Sequence, residues 1–298
     1  MSSCVEKARK RCTFLSIPVN GKKVASFVAT FVLTSGLFYS ILFFIQEHKM
    51  QRLQQRGNEI EDNYKLLKTY IRHPSTLCES ALSVGGVPLQ EDKIDGDKVI
   101  CLTPGPGLRP NCTVYSFGIN DEWSFEKDME RFGCRVFAFD PSMNVKDHQY
   151  SQNIWFYKLG IAGENTDRFY IEEKSAWKMR TLWKMRTLKT IMKRLRHENQ
   201  VIDVLKMDVE GAEWDAIEEM LEYDALQRVY HLCIEIHLHF DVDFDRKLAL
   251  LQRLENEAGF KFFSSRPNLI AKPKKVPGLN ETDQLFYELA WFKDIKSH

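Results

Sequence analysis

The sequence predicts an α/β fold with a mostly parallel sheet and helices on both faces, preceded by an N-terminal transmembrane helix. Three observations predict it. From Cys112 onward, short apolar strands alternate with amphipathic helical stretches, the pattern of right-handed βαβ units. The apolar strands end in Gly or in acids: Gly118, Asp140 and Asp208. Upstream, Val24 to Ile45 ("VASFVATFVLTSGLFYSILFFI") runs 22 residues without a charge.

As a helix that run would be about 33 Å long, enough to cross a hydrocarbon core of about 30 Å. It exceeds the ~7–15 residues of a cleavable signal's apolar region, so an uncleaved anchor is preferred over a cleaved signal or a buried core helix. Before it, in residues 1–23, stand Lys7, Arg9, Lys10, Arg11, Lys22 and Lys23, opposed only by Glu6. That excess of positive charge predicts a cytoplasmic tail. The expected arrangement is a single-pass type II membrane protein of the Golgi or endoplasmic reticulum, held in the membrane through residues 24–45, with its globular part lumenal. Net charge is +1 in 298 residues, so global electrostatics predicts no nucleic-acid partner.

Residues 46–74 are polar with scattered apolar positions and read as a helical stalk ended by Pro74. Residues 75–298 then form the globular domain. Its first part, with "VGGVP", "IDGDK" and "TPGPGLRP", is turn chemistry around one short strand near Val99 to Leu102. Asn111-Cys112-Thr113 and Asn280-Glu281-Thr282 are glycosylation sequons, in keeping with a lumenal domain. In an oxidising lumen one pair among Cys78, Cys101 and Cys112 could be a disulfide, with the pairing open. Cys134 and Cys233, in or beside strands, read as small buried hydrophobes. No cysteine or histidine spacing suggests structural zinc.

The alternating part reads in order. "TVYSFGI" is a strand and "SFEKDMERF" a helix with Ser124 as N-cap. "RVFAFD" and "WFYKLGIAG" are strands, "TLKTIMKRLRHEN" a helix, "VIDVLKMDV" a strand and "EWDAIEEMLEYD" a helix. "RVYHLCIEIHL" is a strand and "DFDRKLALLQRLENEAGF" a helix. "KFFSS" and "QLFYELAWFK" suit an antiparallel hairpin at a sheet edge. "WKMRTL" occurs twice in tandem, at Trp177–Leu182 and Trp183–Leu188. Leu182, Met185, Leu188, Ile191, Met192 and Leu195 recur at helical spacing, so the repeat reads as a local duplication lengthening a loop or helix start, with a solvated basic face.

In an open α/β sheet, ligands bind at the carboxyl ends of the strands, near the switch in strand order. Gly118 allows close backbone approach there, ahead of a helix N-terminus. Asp140 lies 22 residues after Gly118, near the ~20-residue spacing of an acid that holds ribose hydroxyls. A turn or cap acid is its alternative role. Asp208 and Glu210 follow the fourth strand, though Glu210 could instead cap the next helix. Glu235, His237 and His239 fall at period two, hence on one face. His237 is the first candidate general base, because imidazole titrates near neutral pH; a structural histidine is its alternative. Asp208, Glu210 and His237 could also hold a divalent cation.

"VYSFGINDEWSFE", "VFAFDPS", "LGIAG" and "LKMDVEGAEW", in that order, resemble the FkbM-type S-adenosylmethionine-dependent methyltransferases, and more closely the animal family of methyltransferase-like protein 24. The resemblance covers roughly residues 75 to 292. It implies a Rossmann-like methyltransferase fold of seven strands, the last antiparallel, and S-adenosylmethionine as cofactor. On that likeness Gly118 sits under the methionine part, Asn120 lies in the same loop and Asp140 binds the ribose. Asp208 and Glu210 face the cofactor's amino end or the acceptor. The sequence departs from the family at Ser116, where an acid is common, and in "NDEW", where a second glycine is missing. Glu122 or Glu126 would have to substitute. The expected reaction is in-line methyl transfer to an unidentified acceptor, such as a hydroxyl of a glycan or secreted molecule. The alternative is a non-catalytic binding protein that kept the fold. A nicotinamide enzyme is disfavoured, since no GxGxxG follows the first strand.

Overall fold

The computed structural model describes residues 21–88, 94–105, 107–169 and 182–294, with backbone only for residues 21–42. Two compact units result, residues 1–56 and 57–298. Helix α1 spans Gly21–Arg72. Among the described residues no helix is long and apolar enough to cross a membrane. The expected anchor at 24–45 lies almost wholly outside the described side chains, and the basic tail at 1–20 outside the described residues.

In the second unit, eight strands form one sheet. In chain order they are β1 (Thr113–Phe117), β2 (Arg135–Phe139), β3 (His148–Gln149), β4 (Ile154–Tyr157), β5 (Ile202–Met207), β6 (Val229–His237), β7 (Lys261–Pro267) and β8 (Phe286–Phe292). They lie in the order β7-β8-β6-β5-β1-β2-β4-β3. β4, β2, β1, β5 and β6 are parallel; β8 runs antiparallel between β6 and β7. The expected seven strands with an antiparallel last one are present, and the two-residue β3 adds an antiparallel edge. Strand order reverses between β1 and β5, so the switch point lies between Gly118 and Asp208.

Parallel strands covered on both faces are apolar throughout, and β1 and β5 are buried along their whole length. Tyr115, Phe117, Phe137 and Phe139 point into one core, and Val114, Val136, Ala138 and Phe156 into the other. The first core is closed by α3 (Leu188–Leu195), α4 (Glu213–Glu222), α5 (Phe244–Asn256) and the end of α1. The second face differs from expectation. Among the described residues it carries a single helix, α2 (Ser124–Arg131), beside the ribbon Ser80–Val84/Lys98–Thr103.

Other expectations change as well. The stalk does not run to residue 74. Tyr64, Leu67 and Ile71, at helical spacing, are buried in the first core, so the domain begins near Gly57. Ser124 does not cap α2 with its side chain; the Glu122 carboxylate accepts from the Ser124 N–H at 2.7 Å instead. "WFYKLGIAG" is two strands, β4 and Gly160–Ile161. The second "WKMRTL" copy is mostly strand: Trp183–Arg186 pairs with Gly160–Ile161 and Thr166–Phe169, and only its end starts a helix, with Thr187 capping α3 and Leu188 its first residue. Most of the first copy lies outside the described residues.

Two disulfides form, Cys78–Cys101 and Cys112–Cys134. Cys134 is therefore not a free buried thiol. β1 and β2 are parallel with Thr113 opposite Arg135, which sets the two preceding cysteines side by side. Cys233 is free and buried, as expected. Each bond closes a loop of just over twenty residues, worth roughly 3 kcal/mol of unfolded-state entropy. Reduction should therefore lower the calorimetric unfolding midpoint by roughly 10 °C or more when both bonds are opened.

Candidate functional site

The carboxyl ends of β1, β2, β5 and β6 open into a cavity of about 630 Å³. All six residues expected at the site line it: Gly118, Asn120, Asp140, Asp208, Glu210 and His237.

Gly118 is where the two halves of the sheet touch. Its φ is +80°, and a Cβ there would stand 1.7 Å from the carbonyl oxygen of Asp208. Lys206, on the neighbouring strand β5, donates from Nζ to the Gly118 carbonyl at 2.7 Å. The next turn is held from β2. Asp140 Oδ2 accepts from the N–H groups of Ile119 (3.0 Å) and Asn120 (2.8 Å). Its Oδ1 accepts from Ser142 N–H (2.7 Å) and Ser142 Oγ (2.6 Å). Four protein donors thus occupy Asp140. It anchors the Gly118–Asn120 loop, and a ribose hydroxyl would have to replace Ser142 Oγ.

The departure at Ser116 has a spatial answer. Ser116 Oγ donates to Glu126 Oε1 at 2.5 Å, so α2 returns an acid to the end of β1. Glu126 is fully buried, and burial raises its pKa. Glu122, the other candidate substitute, lines the cavity and holds Ser124.

Across the switch point, charges gather. Asp208 follows β5, with about a quarter of its side chain exposed. Burial pushes its pKa up, but Lys98, Lys206 and His237 outweigh that and hold it below the usual carboxylate range. Glu235 shares a hydrogen bond with Asp208 and accepts from Asn268 Nδ2 at 2.9 Å. Burial, then Asp208 and Glu288, push Glu235 up to about 8. Of the two, Glu235 is the one whose surroundings favour the protonated form.

His237 is buried. Burial lowers its pKa, but the charge and hydrogen bond of Glu213, then Asp208 and Glu235, raise it to about 9. The acids around it thus favour the charged imidazolium, against the expectation of an imidazole free to act as base near neutral pH. Sequence pattern does not single out Glu213, because an acid in a first helical turn reads as a cap. It is fully buried. Its Oε1 accepts from His237 N–H (2.8 Å) and bonds Nδ1 (3.1 Å), and its Oε2 accepts from Gly211 N–H (2.7 Å). Glu210 is 65% exposed, with Oε2 3.5 Å from His237 Nε2. His239 lies beyond the end of β6, yet its ring stands 6.0 Å from that of His237 and packs with it against Phe286. Lys98 was also missed. It is 1% exposed, 2.6 Å from Glu288 Oε1 and 3.8 Å from Asp208 Oδ2. Period two was the available signal for Glu235; Lys98 and Asn268 come from remote segments that no local pattern connects to the site.

The apolar wall comes from Phe117 and Phe139, stacked at 4.5 Å, together with Phe169, Trp183 and Met185. The second repeat copy thus contributes two cavity residues. The site joins an apolar, aromatic half to a charged half across a glycine hinge of two strands. Such a cavity suits a ligand with one flat apolar end and one charged end.

A family model described as "Methyltransferase domain" matches residues 44–274. "Probable methyltransferase-like protein 24" of Homo sapiens is 32% identical over 173 residues, 55% of this chain and 44% of that protein. Its Rattus norvegicus counterpart is 31% identical over 191 residues, 59% of this chain and 50% of that protein. This chain spans about half the length of these relatives. A crystal structure of methyltransferase FkbM from Methylobacillus flagellatus KT is similar over 62% of this chain and 45% of its own, at 13% identity and a TM-score of 0.37. The fold above does not rest on that likeness.

Proposed function

The chain belongs to the methyltransferase-domain family, and from that premise we propose that it transfers a methyl group from S-adenosylmethionine to an acceptor in the secretory lumen. One observation carries the reading: Gly118, Asp140 and Asp208 line a single cavity at the switch point of the sheet. The adenosyl group fits the aromatic half, beside Phe139, Trp183 and Met185. The Gly118–Asn120 loop lets the methionine part approach the backbone, and one oxygen of Asp208 faces the cofactor's amino group. Glu210 and His237 flank the acceptor, an alcohol of a glycan or other secreted molecule. The protein's task is to align donor and acceptor and to remove the hydroxyl proton. The uncharged run at 24–45, the basic tail, the two disulfides and the exposed sequon residues Asn111 and Asn280 support a membrane-anchored, lumenal domain. Protease protection and glycosidase-sensitive mass on microsomes test that placement.

Calorimetry on the full chain in detergent should give one S-adenosylmethionine site per chain. Asp140→Ala should weaken it at least tenfold, because two loop N–H groups lose their acceptor, about 1–3 kcal/mol each if they stay buried. No saturable binding to the folded, unsubstituted chain would defeat the reading. Binding without turnover on any lumenal acceptor would instead favour a non-catalytic protein that kept the fold.

A further inference from the structure

We propose that Asp208, Glu235 and His237 bind one divalent cation of the Mg²⁺/Mn²⁺ class at the charged end of the cavity. Asp208 follows β5. Glu235 and His237 lie two apart on β6, so both side chains leave one face of the sheet. The parallel register, Met207 opposite Ile234, brings Asp208 beside Glu235. A carboxylate oxygen from each acid and a ring nitrogen of His237 all lie within 4.8 Å of one another. Ligands on one ion at about 2.1–2.3 Å stand up to roughly 4.5 Å apart, so small side-chain shifts close the set. Binding displaces the protons that Glu235 and His237 favour without an ion; the resulting two carboxylates and neutral imidazole suit a hard or borderline cation and leave further coordination positions toward the cavity.

His237 supplies an independent observation. Its side chain is 2% exposed. Nδ1 is bonded to Glu213, which is itself buried and tied to Gly211. That carboxylate–imidazole contact is the arrangement that orients a metal-ligating histidine. The other nitrogen, Nε2, makes no hydrogen bond among the described residues, and the Glu210 carboxylate stands 3.5 Å from it. Charge balance points the same way. Asp208, Glu210, Glu213, Glu235 and Glu288 crowd this end of the sheet. Against them stand Lys98, shared between Glu288 and Asp208, Lys206, bonded to the Gly118 carbonyl, and the imidazolium of His237, whose proton the ion would replace.

The cation's role rests on the methyl-transfer reading. Bound to the acceptor oxygen, it polarises the O–H bond. The proton passes to the exposed Glu210, the oxygen forms the new O–CH₃ bond, and the S–CH₃ bond breaks with its electron pair left on sulfur. His237 is then a ligand and not the base.

The test is a Mn²⁺ titration of the full chain in detergent, stripped with chelator, followed by electron spin resonance with and without S-adenosylmethionine. Expected are one saturable Mn²⁺ per chain, nitrogen coupling from an imidazole ligand, and a thermal midpoint that rises with Mn²⁺. Glu235→Gln and Asp208→Asn should each weaken binding at least tenfold. Absence of saturable binding, or of nitrogen coupling, in the unsubstituted protein overturns the site even should both variants misfold. Undiminished binding in either folded variant overturns it too. Mn²⁺ binding without S-adenosylmethionine binding would defeat the function and keep the cation site; the reverse would defeat the cation site alone.

Discussion

Gly118→Ala should abolish S-adenosylmethionine binding and cost at least twice the stability lost in Gly133→Ala. The two glycines separate two effects. Both have positive φ, +80° at Gly118 and +90° at Gly133, so an alanine at either site carries a backbone cost of about 1–2 kcal/mol. At Gly133 a Cβ would meet nothing within 4 Å, and that cost is the whole effect. At Gly118 the Cβ would stand 1.7 Å from the Asp208 carbonyl oxygen and 2.8 Å from its carbonyl carbon. These are backbone atoms of the adjacent central strand, so they cannot rotate away. Relief requires β1 and β5 to separate at their carboxyl ends. That would break the Asp208 N–H to Phe117 carbonyl bond of 3.1 Å and move the Lys206 ammonium off Gly118. A loss of about 4 kcal/mol or more is expected, against about 1–2 for Gly133→Ala. Urea unfolding followed by circular dichroism compares them, and calorimetry reads the cofactor. Equal losses in the two variants would mean that the strand ends are looser than drawn, and the close-approach argument for the cofactor loop would go with it.

What the sequence made legible was whatever local periodicity encodes. The strand ends stood out because a buried parallel strand is apolar along its length, so a terminal Gly or acid marks the point where the backbone meets a ligand or solvent. Gly118, Asp140 and Asp208 were visible on that ground, and they line one cavity. The reading failed where short runs are degenerate. Trp183–Arg186 has apolar spacing that fits a helix continued into α3 as well as a strand, and only pairing with Gly160–Ile161 decides it. Tyr64, Leu67 and Ile71 read as scattered apolar positions of a polar stalk, because nothing local names the surface that covers them. Cys134 was misread because its partner comes from strand adjacency, which spacing along the chain does not reveal. The charged half of the site was least legible. Glu213 reads as an ordinary helix-start acid, and its work on His237 exists only once α4 is docked against β6. Ser116 looked like a loss of a functional acid until α2 folded back and returned Glu126 to the same place.

Lys98→Met should destabilise the domain by about 3–5 kcal/mol, and Glu288→Gln should recover much of that loss. Lys98 enters from the Lys98–Thr103 ribbon over the second core and is 1% exposed. Burial alone would lower its pKa, but Glu288, Asp208 and Glu235 raise it, so the ammonium stays charged where it is. Methionine fills nearly the same volume, which removes cavity formation from the comparison. What remains is charge. Glu288 loses its partner at 2.6 Å while its Oε2 already makes no hydrogen bond, and burial already raises its pKa. Asp208 loses a cation at 3.8 Å and keeps Lys206 and His237. An unpaired buried carboxylate must then take a proton, so the stability of Lys98→Met should improve as pH falls toward the range where Glu288 and Glu235 both protonate. The double variant removes the stranded charge at its source. If the single variant costs under 1 kcal/mol, or if Glu288→Gln adds a second loss to it, then Lys98 does not neutralise this end of the sheet. In the expected outcome, the charged end of the cavity depends on a lysine from outside the alternating strands and helices that first made the fold readable.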